Sequence, residues 1–443
     1  MENDLFERTP IARAYLKLSL PVVFSGVLTL VYNMVDMYFI AKTGDTDLVA
    51  GVALCAPMFT LLIALGDIMG LGGSSVISRL LGQGKKDDGR RLSVFCLDGS
   101  FILGVFMACL FLIFRNPILA LLGADAATLP HASAYYFWIA LGSPFVILAL
   151  SPTNLLRTEG AATASMIGSV LGSITNIILD PVFIFGLNMG AGGAAAATVI
   201  GNIVSDCFFV WYIIRKSSLL AFKVKNFHIS SQEVKNVLGI GIPSSITNIM
   251  QSIGVIVLNH ALLAYGNESV AAMGIVSKVT MIVIMVMVGF SFGGQPLYGY
   301  LYGAKLNKRF RGVLKFAISL IVGLAAAMSV VIAVFAPAFI SFFMKDPSII
   351  SMGSTMLRIV LIGMPFIGLT MVITCVFQSC GKALPALVLS AGRQGIFYIV
   401  ILFITSSLFH YYGVLMGQPV SDIFTSIVAL FLLKKHVLSE VGD

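Results

Sequence analysis

Charge is scarce in this sequence. Only 11% of its 443 residues are Asp, Glu, Lys or Arg, against roughly 25% in a soluble globular domain. So little charge cannot coat a soluble surface, which excludes a single soluble core, a nucleic-acid-binding domain and a disordered scaffold. Cysteine is also sparse, and Cys55, Cys96, Cys109, Cys207, Cys375 and Cys380 all fall inside apolar runs or at their edges. They form neither a disulfide framework nor a zinc pattern. There is no Gly-x4-Gly-Lys-Ser/Thr loop, which argues against ATP coupling within the chain. The start, Met1 to Pro10, is acidic and polar. It lacks a signal-peptide pattern, so the first apolar run is expected to serve as the insertion signal.

Long apolar runs fill the space that charge leaves. The chain is 58% apolar and its mean hydropathy is +0.98. A membrane-spanning helix needs about 20 mainly apolar residues. Runs of that kind occupy 14–40, 48–78, 92–114, 130–152, 161–186, 194–214, 236–263, 269–300, 313–335, 354–377, 384–408 and 412–433. None shows the alternation of a membrane barrel. The expected fold class is an all-α polytopic membrane protein with twelve transmembrane helices.

The net charge of +8 is concentrated between these runs. Arg79, Lys85, Lys86, Arg90 and Arg91 follow the second run; Arg215, Lys216, Lys223, Lys225 and Lys235 follow the sixth; Lys305, Lys308, Arg309, Arg311 and Lys315 follow the eighth. The alternate loops hold only Lys42, Arg115 and Lys345. Basic loops stay on the cytoplasmic side, so a multi-pass protein of the cell (inner or plasma) membrane with both termini cytoplasmic is expected.

The chain also repeats itself. Val49-Ala50, Gly72-Gly73 and Gly82 recur as Val270-Ala271, Gly293-Gly294 and Gly303, each 221 positions later. Leu141-Gly142-Ser143-Pro144-Phe145 recurs as Ile362-Gly363-Met364-Pro365-Phe366, and Gly160 as Gly381, at the same displacement. Pro21 and Pro243 match after a one-residue adjustment. Each half then holds six spans, an even number, so the two enter the membrane in the same direction. Parallel repeats of this kind place substrate sites between the halves near the midplane. The division expected is an N-terminal six-helix lobe (1–215), a cytoplasmic linker (216–234) and a C-terminal six-helix lobe (235–443). Two six-helix bundles facing a cavity is a transporter architecture, and an enzyme is not expected.

A carboxylate inside a span costs about 2.5–3.5 kcal/mol at its centre, and so marks function by default. Asp36 lies deep in the first span, with Ser25, Thr29 and Asn33 spaced by three or four before it, which puts all four on one helical face. Ser165, Ser169, Ser173, Asn176 and Asp180 form a like stripe in the fifth span, and Thr198, Asn202, Ser205 and Asp206 follow in the sixth. These three helices can line one wet pocket. Burial and a nearby second acid favour protonation of a carboxyl, so Asp36 and Asp180 can bind a proton. With Asn176 and Thr198 they alternatively offer four oxygens to sodium, a hard cation. Against this stands a purely structural reading, in which the Ser, Thr and Asn residues only bond helices together; for the serines that reading is preferred. Asp67, Asp98, Asp206 and Asp422 lie nearer span ends or beside small residues and read as structural polar contacts.

The matching helix of the second half carries Ser245, Asn248, Gln251 and Asn259 but no acid. Coupling is therefore expected in the first half, with packing, gating or substrate contact in the second. Pro21 and Pro243 interrupt two long helices, each as a hinge or as a static kink. Lys278 sits within the eighth span, where a carbonyl, an acid or an anionic substrate can meet it.

These residues resemble the multidrug and toxic compound extrusion (MATE) family over nearly the whole chain. The resemblance rests on Pro21 with Val35-Asp36, on Asn154-Leu-Leu-Arg157-Thr-Glu159-Gly160 and on Asn176-Ile-Ile-Leu-Asp180-Pro181. Gln295-Pro296-Leu-Tyr-Gly-Tyr-Leu-Tyr-Gly303-Ala-Lys305 adds to it in the second half. It implies export of lipophilic organic cations and drugs in exchange for protons or sodium, by rocking of two lobes, with no cofactor beyond the coupling ion. It implies that Asp36 and Asp180 match the coupling acids of the DinF-like branch, and that Asn176 and Thr198 match its further oxygen ligands. By the same likeness Tyr135 and Asn154 belong to the substrate cavity, to which Asn33, Asn202 and Gln251 are also assigned. Pro21 matches a first-helix bend associated with proton binding. The chain departs from the NorM-like branch in having Gln251 where that branch has a glutamate, and no acid between Pro365 and Gln378. The implied partners are small-molecule drugs and membrane lipid, with no nucleic acid, for a monomer. A flippase for lipid-linked or polysaccharide intermediates is the alternative. An intramembrane aspartyl protease built on Asp36 and Asp180 is disfavoured, because the paired Tyr-Asp and Gly-x-Gly-Asp motifs are missing.

Overall fold

The computed structural model describes residues 2–223 and 228–442, so Lys225 of the expected linker lies outside it. Among the described residues all regular structure is helical. In the first half these helices are α1 (Glu2–Glu7), α2 (Ile11–Lys42), α3 (Thr46–Leu54), α4 (Ala56–Gly82), α5 (Lys86–Ile113), α6 (Arg115–Leu121), α7 (Leu129–Leu155), α8 (Ala162–Pro181) and α9 (Gly190–Arg215). In the second they are α10 (Ser231–Leu263), α11 (Asn267–Gly303), α12 (Asn307–Val334), α13 (Ala336–Phe343), α14 (Pro347–Leu361), α15 (Met364–Ser379), α16 (Ala383–Ala391), α17 (Phe397–Leu433) and α18 (Ser439–Val441).

Among the described residues ten helical runs are long and apolar enough to cross a membrane, and α14 with α15 forms an eleventh that bends by 41°. One of the ten, Ala383–Val441, has 59 residues. At 1.5 Å per residue it would measure about 90 Å, three times the hydrocarbon thickness. It breaks at His410, whose φ of 50° and ψ of −123° are not helical, between the two spans expected at 384–408 and 412–433. With that run counted as two, the twelve expected spans are all accounted for.

The chain forms two compact units. One comprises Phe24–Gly241; the other joins Asn3–Val23 to Ile242 and all that follows. The division thus runs through α2 and α10 and not through the 216–234 connection. Paired glycines show why. In the first unit a Cβ on Gly72 of α4 would stand 2.3 Å from the Val237 carbonyl oxygen, so the start of α10 lies directly against α4. In the second unit a Cβ on Gly293 of α11 would stand 2.3 Å from Ser19 Cα, so the start of α2 lies directly against α11. Gly72 and Gly293 are repeat partners: the same close approach occurs twice, each time with the first turns of a long helix.

Each unit has its own core. In the first, Leu62, Phe111, Tyr136, Ile139, Ile147 and Val199 are buried together, and Tyr136 donates to the Phe111 carbonyl at 2.7 Å. In the second, Tyr15 meets Tyr298 and Phe316 edge-on at 6.4 and 5.7 Å and donates to the Phe290 carbonyl at 2.8 Å. Such hydroxyls need a partner once buried. Phe6 of α1 stacks on Tyr300 at 4.8 Å, and Tyr300 donates to Glu7 at 2.6 Å.

Candidate functional site

The first unit contains Asp36, Asn176, Asp180 and Thr198. α8 and α9 approach closely because both carry glycine at their crossing. A Cβ on Gly172 would lie 2.7 Å from the Gly201 carbonyl oxygen and 2.1 Å from Ser205 Oγ. One turn beyond Gly172, that approach brings Asn176 Nδ2 to within 3.2 Å of Thr198 Oγ1, to which it donates. The same amide nitrogen is 3.4 Å from Asp180 Oδ1, one turn along its own helix. Thr198 in turn donates to the Ala194 carbonyl at 3.1 Å. Asp180 is fully buried and Asn176 and Thr198 nearly so. Pro181 follows, and the helix loosens into a π-turn over Val182–Gly186.

Asp36 of α2 comes within electrostatic reach of Asp180. Two carboxylates repel, so bringing them together favours a proton on one of them. Asp36 Oδ1, Asn176 Oδ1 and Asp180 Oδ2 are buried and have no hydrogen-bond partner among the described residues. Buried oxygens without donors are rare, and three together make a site able to accept a cation or further protons. The four-oxygen set fits sodium in donor chemistry.

Tyr135 of α7 lies within the electrostatic reach of both acids, as does Tyr32 of α2. Sequence reading missed Tyr32. It stands four residues before Asp36, so the helical spacing that found Asn33 would have found it too, had aromatic residues been counted in the polar stripe.

The other candidates lie elsewhere. Asn202 sits one turn from Thr198 and donates to its carbonyl at 2.8 Å. Asn154 donates to the Leu150 carbonyl at 2.8 Å and accepts from the buried Arg157 at 3.4 Å, while Arg157 Nε reaches Ser165 Oγ at 3.4 Å. Asn154 therefore belongs to a separate polar cluster that ties α7 to α8. Ser169 and Ser173 donate to carbonyls one turn back within α8 itself. Asn33 is exposed, and so is Gln251, which belongs to the second unit with Pro21. Pro21 stands inside α2, which continues through it. Lys278 is exposed, with its ammonium 5.9 Å from the Phe343 ring centre, a cation–π contact.

The second unit does contain a buried acid. Asp422 of α17 is fully buried and accepts from Gln418 Nε2 at 3.2 Å on both oxygens, with the charge of buried Arg393 acting on it. Among the described residues no three His, Cys, Asp or Glu side chains cluster to hold a metal.

A family model, MatE, matches residues 21–182 and again 243–404, one copy in each half, and the two copies begin at the paired prolines Pro21 and Pro243. The chain belongs to the MatE family. MatE relatives include the multidrug export protein MepA of Staphylococcus haemolyticus, 30% identical over 428 residues, covering 97% of this chain and 94% of that protein. The MepA of Staphylococcus saprophyticus is 29% identical with the same coverage. Among solved structures, a MOP-superfamily transporter from Pyrococcus furiosus superposes with a TM-score of 0.92 at 26% identity, over 99% of this chain and 98% of that one. A MATE protein crystallised in straight and bent conformations gives 0.93 and 0.91, also at 26% identity and with the same coverage. The protein is thus a multi-pass membrane transporter of the MatE family, not an enzyme.

Proposed function

We propose that this MatE protein exports lipophilic organic cations in exchange for protons, through the carboxyl pair Asp36–Asp180. Two acids on neighbouring helices, whose buried oxygens with that of Asn176 have no donor among the described residues, are the observation that carries this reading. A proton taken up there relieves repulsion between acids that stand on two helices, so protonation and helix arrangement are linked. With the pair deprotonated the site is negative and attracts a cationic drug. Proton uptake from outside cancels that charge, releases the drug and favours return to the inward-facing state. Exchange is coupled only if each ligand binds the two states unequally, and a charge that is present in one protonation state alone provides that inequality.

Sodium is the second reading, favoured by the unpartnered oxygens of Asp36, Asn176 and Asp180. Export by the MepA relatives supports drugs as the substrate class. The basic loops support a plasma-membrane location with both termini cytoplasmic, and a monomer meets the needs of a site formed within one chain. The test is ethidium binding to purified protein across pH. The wild type is expected to bind more tightly as pH rises and the pair deprotonates. The double variant Asp36→Asn, Asp180→Asn is expected to bind weakly at every pH; unchanged affinity in that variant would sink the proposal.

A further inference from the structure

The pair does not account for all the buried acid in the first unit. Asp206 lies on α9 two turns beyond Thr198, and Thr198, Asn202 and Asp206 recur at every fourth residue, along one face. Asp206 is 5% exposed, and neither of its oxygens has a hydrogen-bond partner among the described residues. Its neighbour Ser205 behaves in the ordinary way and donates to the Gly168 carbonyl at 2.9 Å.

The helices packed against α9 are α3, α7 and α8. Their titratable groups, with those of the turn after α7, are Asp47, His131, Tyr135, Tyr136, Arg157, Glu159 and Asp180. His131 lies 3.5 Å from Asp45, Tyr136 donates to Phe111, Arg157 meets Asn154 and Ser165, and Glu159 accepts from Ser217 at 2.7 Å. Asp180 accepts from Asn176. None of these groups hydrogen-bonds Asp206. A carboxylate with neither solvent nor partner is not a stable occupant of a helix bundle, so the side chain is the neutral acid. An apolar residue would pack there more cheaply, so packing does not explain the carboxyl.

We infer that Asp206 is a second proton-binding site of this unit, holding its proton while α8 and α9 pack as they do here and exchanging it when drug binding alters that contact. Its connection to the pair is on the same helix face. Asn202 donates to the Thr198 carbonyl, Thr198 accepts from Asn176, and Asn176 reaches Asp180. A short line of polar groups therefore leads from Asn202, one turn before Asp206, to the coupling acids. The role of the proton in transport rests on the antiport reading; its presence on Asp206 does not.

Infrared difference spectroscopy of the full-length protein in lipid, with and without ethidium at a concentration that saturates its fluorescence change, tests the inference. The wild type is expected to show a protonated-carboxyl stretch that moves on ethidium addition. Asp206→Asn should abolish that band, Asp206→Glu should shift it, and the single variants Asp36→Asn and Asp180→Asn should retain it. A carbonyl region that neither Asp206 substitution alters would overturn the inference. So would a band that belongs to Asp206 yet ignores ethidium, since that acid would be static. Failure of the antiport reading would show separately, as gradient-insensitive efflux.

Discussion

At the scale of single residues, the site depends on a few hydrogen bonds between neutral and acidic groups. Thr198→Val keeps the shape but removes the acceptor of the Asn176 amide. A neutral hydrogen bond of this kind contributes about 1 kcal/mol. Thermal unfolding in detergent should show that loss for Thr198→Val and its recovery for Thr198→Ser. Asp422 poses a harsher case, because its removal strips Gln418 of an acceptor and leaves Arg393 buried beside no acid. Asp422→Ala loses both the Gln418 bond and the side chain's volume, so it is expected to lower the unfolding midpoint more than Asp422→Asn, which keeps the shape and an acceptor oxygen for Gln418. Equal midpoints for the two would mean that the charge lost by both matters more than the shape and the Gln418 bond. The sequence made the first of these sites legible and not the second. Asp36, Asn176, Asp180 and Thr198 were readable because carboxylates are costly in apolar helices and the spacing put them on facing stripes. Asp422 looked like a bystander, since nothing in sequence brings Arg393, 29 positions earlier, to it.

At the scale of helices, glycine placement decides how close α8 and α9 come. A methyl group on Gly172 meets a backbone carbonyl that cannot rotate away. Overpacking typically costs about 1–3 kcal/mol, and here it would also part Asn176 from Thr198. Gly172→Ala is therefore expected to lower both stability and ethidium affinity, whereas Gly26→Ala, with open space around its Cβ position, should spare affinity. An effect of equal size at both positions would contradict the close-approach argument. Apolar run length was enough to place every long helix. Their breaks were not readable in that way. The turn at Cys55 between α3 and α4, and the left-handed His410 within the last long run, carry no proline or glycine at the break itself, and the hydrophobicity continues straight through them.

For the whole molecule, the repeat was the most informative feature of the sequence, and structure gives it a physical meaning. Gly72 and Gly293 recur because each admits the start of a long helix, α10 in one unit and α2 in the other. Sequence displays the two glycines but not what they face, so a boundary drawn in the 216–234 connection was the natural reading. The proposed orientation rests on the placement of Lys and Arg. A membrane-impermeant maleimide is expected to label Ser439→Cys, in a background with the native cysteines replaced, only after the cell is opened. Labelling of intact cells would reverse the topology. The central claim is that export is driven through the Asp36–Asp180 pair. Ethidium efflux from proteoliposomes, under a proton gradient and a sodium gradient imposed separately, tests this most directly when wild type and Asp36→Asn are compared. The account predicts proton-driven efflux that the substitution abolishes. Efflux of equal rate in Asp36→Asn, or none from folded wild-type protein under either gradient, would contradict it.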